Sequence, residues 1–464
     1  MASKKNEGKV IVPGTPEERN FVTTFTKGGA TSKLSYVILG LENMVNGQVI
    51  KGLLFLWAEI VYWFFMFRSG FSMLAGLKTL GTHTQEMVLN EELGIYETVP
   101  GDNSMLILLT GVVAIVVTIA FIAVWLFSIS SGEHARAQKA AGRHVRSFTE
   151  DVKSLANDNI HFSFLAIPVL GLSVFTVMPL FYMILMAFTN YDSEHQPPGN
   201  LFHWVELENF KTLLASSDRL SATFWPILGW TLIWGVCATF TCYFGGMVLA
   251  MVINSKGIKG KKFWRTLFVI TYAVPAFISL RFVATMLGER GIFNVLLEQW
   301  GFTANPLPFL TNATWARVTV IVVNFWIGVP VTMLMVSGIL MNIPAELYES
   351  AKLDGATPFV MFRKITFPYM WFVTTPYLIS NLIGNFNNFN AIYFLTGGAP
   401  NSLDYFKGAG KTDLLVTWLY KLTKDSNDYN LAATIGIIIF ILSATFTLVT
   451  FSRSGSVQNE EGFQ

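Results

Sequence analysis

The chain is 464 residues long with a formal net charge of +2; 52% of it is hydrophobic, 13% charged, and forty residues are Phe. A water-soluble fold of this length has no means of burying so much apolar surface, so composition points to a membrane protein and excludes a soluble globular enzyme. The near-zero net charge carries little information, because charge in such a protein is read by membrane side and not by sum.

In chain order, residues 1–34 are polar and mixed in charge and lack a short apolar stretch ending in a small-residue cleavage site, so the first span is expected to stay as an anchor. Leu39–Gln48 is too short and polar to cross and reads as an interfacial turn or short amphipathic helix. Runs long enough to cross about 30 Å of hydrocarbon lie near 50–68, 104–128, 163–188, 224–253, 266–288, 315–341, 369–394 and 431–452. The expected fold is therefore an all-α polytopic membrane protein with about eight transmembrane helices. An acidic segment with Glu86, Glu91, Glu92 and Glu97 follows the first span, and a basic segment around 132–153 follows the second. Pro197-Pro198-Gly199 and then Trp204–Phe210 predict a turn followed by a short helix. Cys237 and Cys242, five residues apart in the fourth span, suit neither a disulfide framework nor a metal site and read as packing residues.

With the N-terminus inside, twenty-one Lys and Arg fall in cytoplasmic segments and eight in external ones. Both termini are thus expected in the cytoplasm. Of the three that remain, Arg68 and Arg317 fall at outer helix ends where snorkelling is easy, and Arg281 lies within a span: it interrupts the apolar run Ile278–Val283 and needs water, a partner or a route to the interface. Gly288 is seven residues on, about 10 Å along a helix, so snorkelling to the outer interface is one reading; the other places Arg281 at an external gate of a pathway.

Glu349-Ser350-Ala351-Lys352-Leu353-Asp354-Gly355, followed nine residues later by Ile365-Thr366-Phe367-Pro368, lies between two apolar runs. Such a charged, Gly-punctuated connector belongs in water, since unpaired backbone and charge in hydrocarbon cost several kcal/mol per group. It resembles the EAA signature of importer membrane subunits in the ATP-binding-cassette (ABC) superfamily: Glu-Ala-Ala, three residues, Gly, nine residues, Ile-x-Leu-Pro. Ser350 and Phe367 depart from the usual Ala and Leu. The resemblance implies a type I ABC-importer permease core whose loop 342–368 docks on an ATPase, with Glu349, Ser350, Ala351 and Gly355 in the coupling role. It divides the chain into a cytoplasmic segment (1–49), two N-terminal helices with a basic loop (50–160), a six-helix core (161–452) and a cytoplasmic tail (453–464).

No catalytic constellation competes with this reading. Gly408-Ala409-Gly410-Lys411-Thr412 looks like the end of a phosphate-binding loop, but Tyr405 stands where that motif requires Gly. The six His are scattered without ligand spacing. ATP and Mg would belong to the partner ATPase, with no cofactor in this chain and no enzyme activity of its own.

Asn381, Asn385, Asn387, Asn388 and Asn390 crowd the seventh span. Positions 381, 385 and 388 follow i, i+4, i+7 and form one stripe, with Gly384 beside it. Amides are costly in lipid, so the stripe faces either protein, as interhelical hydrogen bonds, or a water-filled cavity where carboxamides suit sugar hydroxyls. Asn385-Phe386-Asn387-Asn388-Phe389 resembles the MalF-type permease of maltose/maltodextrin importers. So do Leu395–Pro400, Thr412–Val416, Leu431-Ala432-Ala433, Tyr272–Pro275 and Trp326–Pro330. That resemblance implies a substrate site at Tyr272, Gly328, Asn381, Gly384, Asn385 and Asn388. Ala276, Val331, Asn381 and Gly384 depart from the maltose-type pattern, so substrate class carries over better than the identity of the sugar.

The function implied is import of oligosaccharides, maltodextrins first, in a bacterial cell membrane. The implied partners are a homologous second permease, two cytoplasmic ABC ATPase subunits and an external sugar-binding protein, with no nucleic acid. Galacto-oligosaccharides or multiple sugars are the alternative substrates, and a secondary transporter using a carboxylate such as Glu59 is the alternative mechanism. The topology has a direct check: in a cysteine-free background, single cysteines at Asp354 and Ser402 should react with an impermeant reagent from opposite sides, only the second doing so in intact cells. Labelling of both in intact cells contradicts the orientation.

Overall fold

The computed structural model describes residues 18–90, 94–215, 218–255, 257–270 and 273–453. The chain forms two compact units, one of residues 1–185 and 194–204, the other of 186–193 and 205–464. Among the described residues six helices are long and apolar enough to cross a membrane. They correspond to six of the eight expected windows; the fifth and seventh are broken.

In the first unit α1 (Val49–Phe65) continues through a π turn to Gly76, α2 spans Ser104–Ala140, and α3 (Ile160–Leu172) continues through a second π turn towards Met186. α2 runs twelve residues past the expected end at 128, because the small and polar residues there pack against protein. Leu39–Gln48 is what they meet: Leu41–Val45 is a short helix with Glu42 and Asn43 buried. Gly40 N–H donates to Ser128 Oγ at 3.0 Å, and Asn43 Nδ2 donates to Ser131 Oγ at 2.9 Å. Glu59 Oε2 accepts the Leu39 N–H at 2.9 Å, which gives that carboxylate a structural partner. The segment expected to be acidic loop holds an antiparallel hairpin, β1 (Glu86–Asn90) with β2 (Ile95–Val99), in which Val88 faces Glu97.

In the second unit α4 (Arg219–Asn254) is the spine, followed by α5 (Lys261–Ile270), α6 (Ala276–Met286) and α7 (Ala313–Leu340). Then come α8 (Ala345–Leu353), α9 (Phe367–Phe386), α10 (Phe389–Leu395), α11 (Leu415–Lys424) and α12 (Tyr429–Arg453). α4 feeds three core clusters in succession. Phe224 and Ile227 pack with Trp418 of α11 and Ile435 of α12; Trp230, Trp234 and Ala238 pack with Val320 of α7 and Ile392 of α10; Tyr243, Met247 and Ala250 pack with Met333 of α7 and Met370 of α9. Lipid tails are as apolar as these side chains, so close van der Waals fit and interhelical hydrogen bonds, more than hydrophobic transfer, hold such helices together. Tyr243 OH shares a 2.7 Å hydrogen bond with Thr374 Oγ1, and Asn254 Nδ2 donates to Ser337 Oγ at 3.1 Å.

The fifth window breaks before Pro275, which lacks an N–H and disfavours helix in the residue ahead of it; α6 begins directly after it. The seventh breaks at Asn387, between α9 and α10.

The segment between α10 and α11 is fastened by a buried ion pair that the sequence did not announce. Asp413 Oδ2 accepts from Lys421 Nζ at 2.7 Å and from Gly410 N–H at 2.7 Å, while Oδ1 accepts from Thr417 Oγ1 at 2.8 Å. Burial pushes the Asp413 carboxyl above its usual range, and Lys421 pulls it back. Removing one partner of a buried pair typically costs about 3–5 kcal/mol, whereas removing both is far milder. Lys421→Met should therefore lower the thermal stability of the purified protein sharply, and Asp413→Asn with Lys421→Met should restore most of it; a double variant as unstable as the single would contradict the pairing.

Candidate functional site

Two sites stand out, one on a connector and one at the broken seventh helix. On the connector, α8 starts after Pro344 and stops in a Schellman turn: Ala356 N–H donates to Ala351 O at 2.9 Å and Gly355 N–H to Lys352 O at 3.0 Å. Gly355 has φ +76°, the left-handed conformation that a Cβ would penalise. Thr357 caps the next helical turn, Pro358 opens it, and a π turn at Phe362–Thr366 merges it into α9. Tyr348 OH shares a 2.9 Å hydrogen bond with Thr366 Oγ1, tying α8 to that turn. Glu349, Ser350 and Gly355 are exposed and Ala351 half-buried, as a docking surface requires. Leu353 is 89% exposed and Phe359 68%, two large apolar side chains on a polar connector.

At the broken helix the three stripe amides form a ladder. Asn388 Nδ2 donates to Asn385 Oδ1 at 3.3 Å, Asn385 Nδ2 to Asn381 Oδ1 at 3.0 Å, and Asn381 Nδ2 to Tyr377 OH at 3.2 Å. Asn385 Nδ2 also reaches Thr239 Oγ1 of α4 at 2.9 Å, and Trp234 Nε1 of α4 donates to the Asn385 carbonyl at 3.1 Å. That carbonyl sits in the last turn of α9, where the i+4 bond is lost, and it also accepts the Asn388 N–H at 3.2 Å. Asn388 Oδ1 accepts the Ala391 N–H at 3.2 Å and so caps α10. Asn385 is therefore a buried structural amide as well as a stripe member, whereas Asn381 and Asn388 are half-buried and keep lone pairs or donors free for a ligand.

The other expected residues are distributed as follows. Gly384 is exposed, and a Cβ there would meet nothing within 4 Å, so open space lies beside the ladder. A Cβ at Gly328 would come within 2.6 Å of Cys242 Sγ, so this glycine allows close packing of α7 on α4. Tyr272 lies outside the described residues. Arg281 is on an exposed face of α6. Tyr377, Thr239 and Trp234 were missed; Tyr377 continues the stripe at i−4 and was open to detection, while the other two come from a distant helix with no local signal.

These contacts separate two neighbours in a stability measurement. Asn385→Leu strands Thr239 Oγ1 and breaks the ladder, a loss of about 1–3 kcal/mol, so it should lower the melting temperature. Gly384→Ala should leave it unchanged or raise it, since the added methyl meets nothing and the unfolded chain loses freedom. A destabilising Gly384→Ala would mean that the space beside the ladder is filled.

Residues 243–453 match the family of binding-protein-dependent transport system inner membrane components. The chain is 35% identical to the maltodextrin transport system permease protein MdxF of Bacillus subtilis, over 94% of its own length and 98% of that protein. It is 32% identical to the galactooligosaccharides transport system permease protein GanP of the same organism, over 91% and 97%. Among solved structures it resembles a subunit of a bacterial ABC transporter involved in import of the acidic polysaccharide alginate, with TM-score 0.52 and 24% identity over 65% of this chain and 97% of that one, a likeness of fold. The chain belongs to the MalF-type family of permease subunits of binding-protein-dependent ABC importers, and is a multi-pass membrane transport component, not an enzyme.

Proposed function

We propose that this chain forms half of the translocation pathway of an ATP-driven importer whose substrates are oligosaccharides of the maltodextrin class. The observation that carries the reading is the amide ladder at a helix break, with open space at Gly384: carboxamides at membrane depth that are only partly satisfied by protein suit the hydroxyls of a neutral sugar. Similarity to MdxF over nearly the whole of both chains favours maltodextrins. The slightly lower similarity to GanP supports galacto-oligosaccharides as the second reading.

In this scheme a homologous permease supplies the other half of the pathway, and an external binding protein delivers the sugar. One of two cytoplasmic ATPase subunits seats α8, with Glu349 taking basic or backbone donors and Leu353 filling an apolar pocket. Both termini and the loop 342–368 lie in the cytoplasm. The ladder residues Asn381 and Asn388 bind sugar, and Tyr272 stacks on it. α8 is tied to α9 through the π turn and the Tyr348–Thr366 bond, so closure of the ATPase pair shifts the helix that ends at the ladder.

The test is ATP hydrolysis by the reconstituted complex with its binding protein across a panel of maltodextrins and galacto-oligosaccharides. Maltodextrins should stimulate it most, and Glu349→Lys should abolish stimulation while leaving the subunit in the membrane. Stimulation by galacto-oligosaccharides alone would select the second reading. No response to any glycan, or wild-type stimulation in Glu349→Lys, would overturn the proposal.

A further inference from the structure

Beyond the helix break the amide ladder gives way to rings. Asn388 caps α10, and Phe389 and Tyr393, four residues apart on that helix, stack with centroids 4.6 Å apart. Tyr420 of α11 meets both edge-on, at 5.0 Å and 5.2 Å. Phe394 touches Tyr393 on one side and Phe277 of α6 on the other, at 5.4 Å and 5.8 Å. One helical turn after Phe277 stands Arg281, and one turn after Tyr420 stands Lys424, whose ammonium lies 5.5 Å from the Tyr420 ring.

This cluster differs from the buried tryptophans of α4. Trp230 and Trp234, which serve the core, are 4% and 0% exposed. Phe277 is 52% exposed, Phe389, Tyr393 and Tyr420 are only half-buried, and Arg281 and Lys424 are exposed. Half-open rings edged by phenol, ammonium and guanidinium donors combine what a neutral glycan needs: flat apolar surface for the C–H faces of the sugar and donors for its hydroxyls. An anionic ligand is not required by this edge, because Asp425 is exposed beside Lys424. The shelf is also continuous with the ladder, since Phe389 follows Asn388 directly and the step from Phe389 to Tyr393 covers roughly 6 Å along the helix.

We propose that Phe277, Phe389, Tyr393 and Tyr420, edged by Arg281 and Lys424, form a second carbohydrate subsite that holds further sugar units of an oligosaccharide whose leading units occupy the amide ladder. The inference rests on the oligosaccharide reading of the preceding section and adds to it a determinant of chain-length preference. Arg281 then has a use as a hydroxyl donor at the outer margin of the pathway, and its exposure on α6 needs no snorkelling. Longer oligosaccharides engage ladder and shelf together; a short one engages the ladder alone.

The experiment uses the assembled complex in lipid nanodiscs with one binding protein throughout, comparing maltotriose with maltoheptaose as stimulants of ATP hydrolysis. Tyr393→Leu and Tyr420→Leu should each raise the half-saturating concentration of maltoheptaose at least tenfold more than that of maltotriose. Tyr420→Trp, which keeps a stacking ring, should retain the length preference, and its indole emission, taken as the difference from the parent complex, should shift on adding maltoheptaose but not maltotriose. Equal effects at both lengths, or none at either, would overturn the shelf and return the rings to packing. If the leucine variants do not assemble, the tryptophan variant decides: no emission change with saturating maltoheptaose overturns the proposal. A parent complex that responds to no maltodextrin or galacto-oligosaccharide of any length would instead defeat the function proposed above, so the two failures are distinguishable.

Discussion

A polar group at membrane depth has no water to turn to, and every carbonyl or amide that leaves a helix ladder must find another partner. The break between α9 and α10 is where this protein meets that constraint most directly. Its freed groups are met by neighbours: Trp234 covers the Asn385 carbonyl, Thr239 takes an Asn385 donor, and Asn388 caps the following helix. What the protein leaves unsatisfied on Asn381 and Asn388, next to the open space at Gly384, is then available to a ligand. Stability and the proposed binding draw on the same amides, and Asn385 is the residue most committed to the first of these.

The same helix links the two ends of the proposed mechanism. α9 begins in the π turn against which Tyr348 anchors α8, and it ends at the ladder. α4 runs alongside, and its three core clusters hold α7, α9, α10, α11 and α12 to one spine. A displacement imposed at the connector therefore has a packed route to the helix break, with the buried Asp413–Lys421 pair holding the segment beyond it.

Much of this was legible in the sequence because it is local. The i, i+4, i+7 spacing announced the amide stripe, and the EAA-like pattern announced the exposed α8 and the Gly355 turn; the fifth window, expected as one span, is broken ahead of Pro275. Other features depend on distant contacts. Trp234 and Thr239 sit about 150 residues before Asn385 and carry no pattern that points to it. Gly328 shares the sequence context of a binding motif, and its missing side chain makes room for Cys242. The break at Asn387 has neither Pro nor Gly to announce it, so hydropathy alone ran the seventh window through. Leu39–Gln48 looked interfacial because its burial comes from α2, a partner 88 residues away. The β1–β2 hairpin is short, exposed on both faces and without strong alternation, so periodicity had nothing to register.

The central claim is that the broken helix holds sugar on its half-satisfied amides. The most direct measurement is a cryo-EM structure of the assembled importer, trapped with its binding protein and maltoheptaose. The account predicts saccharide density within hydrogen-bond distance of the Asn381 and Asn388 carboxamides, on the side opened by Gly384. A well-ordered saccharide elsewhere in the pathway, with those two amides bonded only to protein, would contradict it.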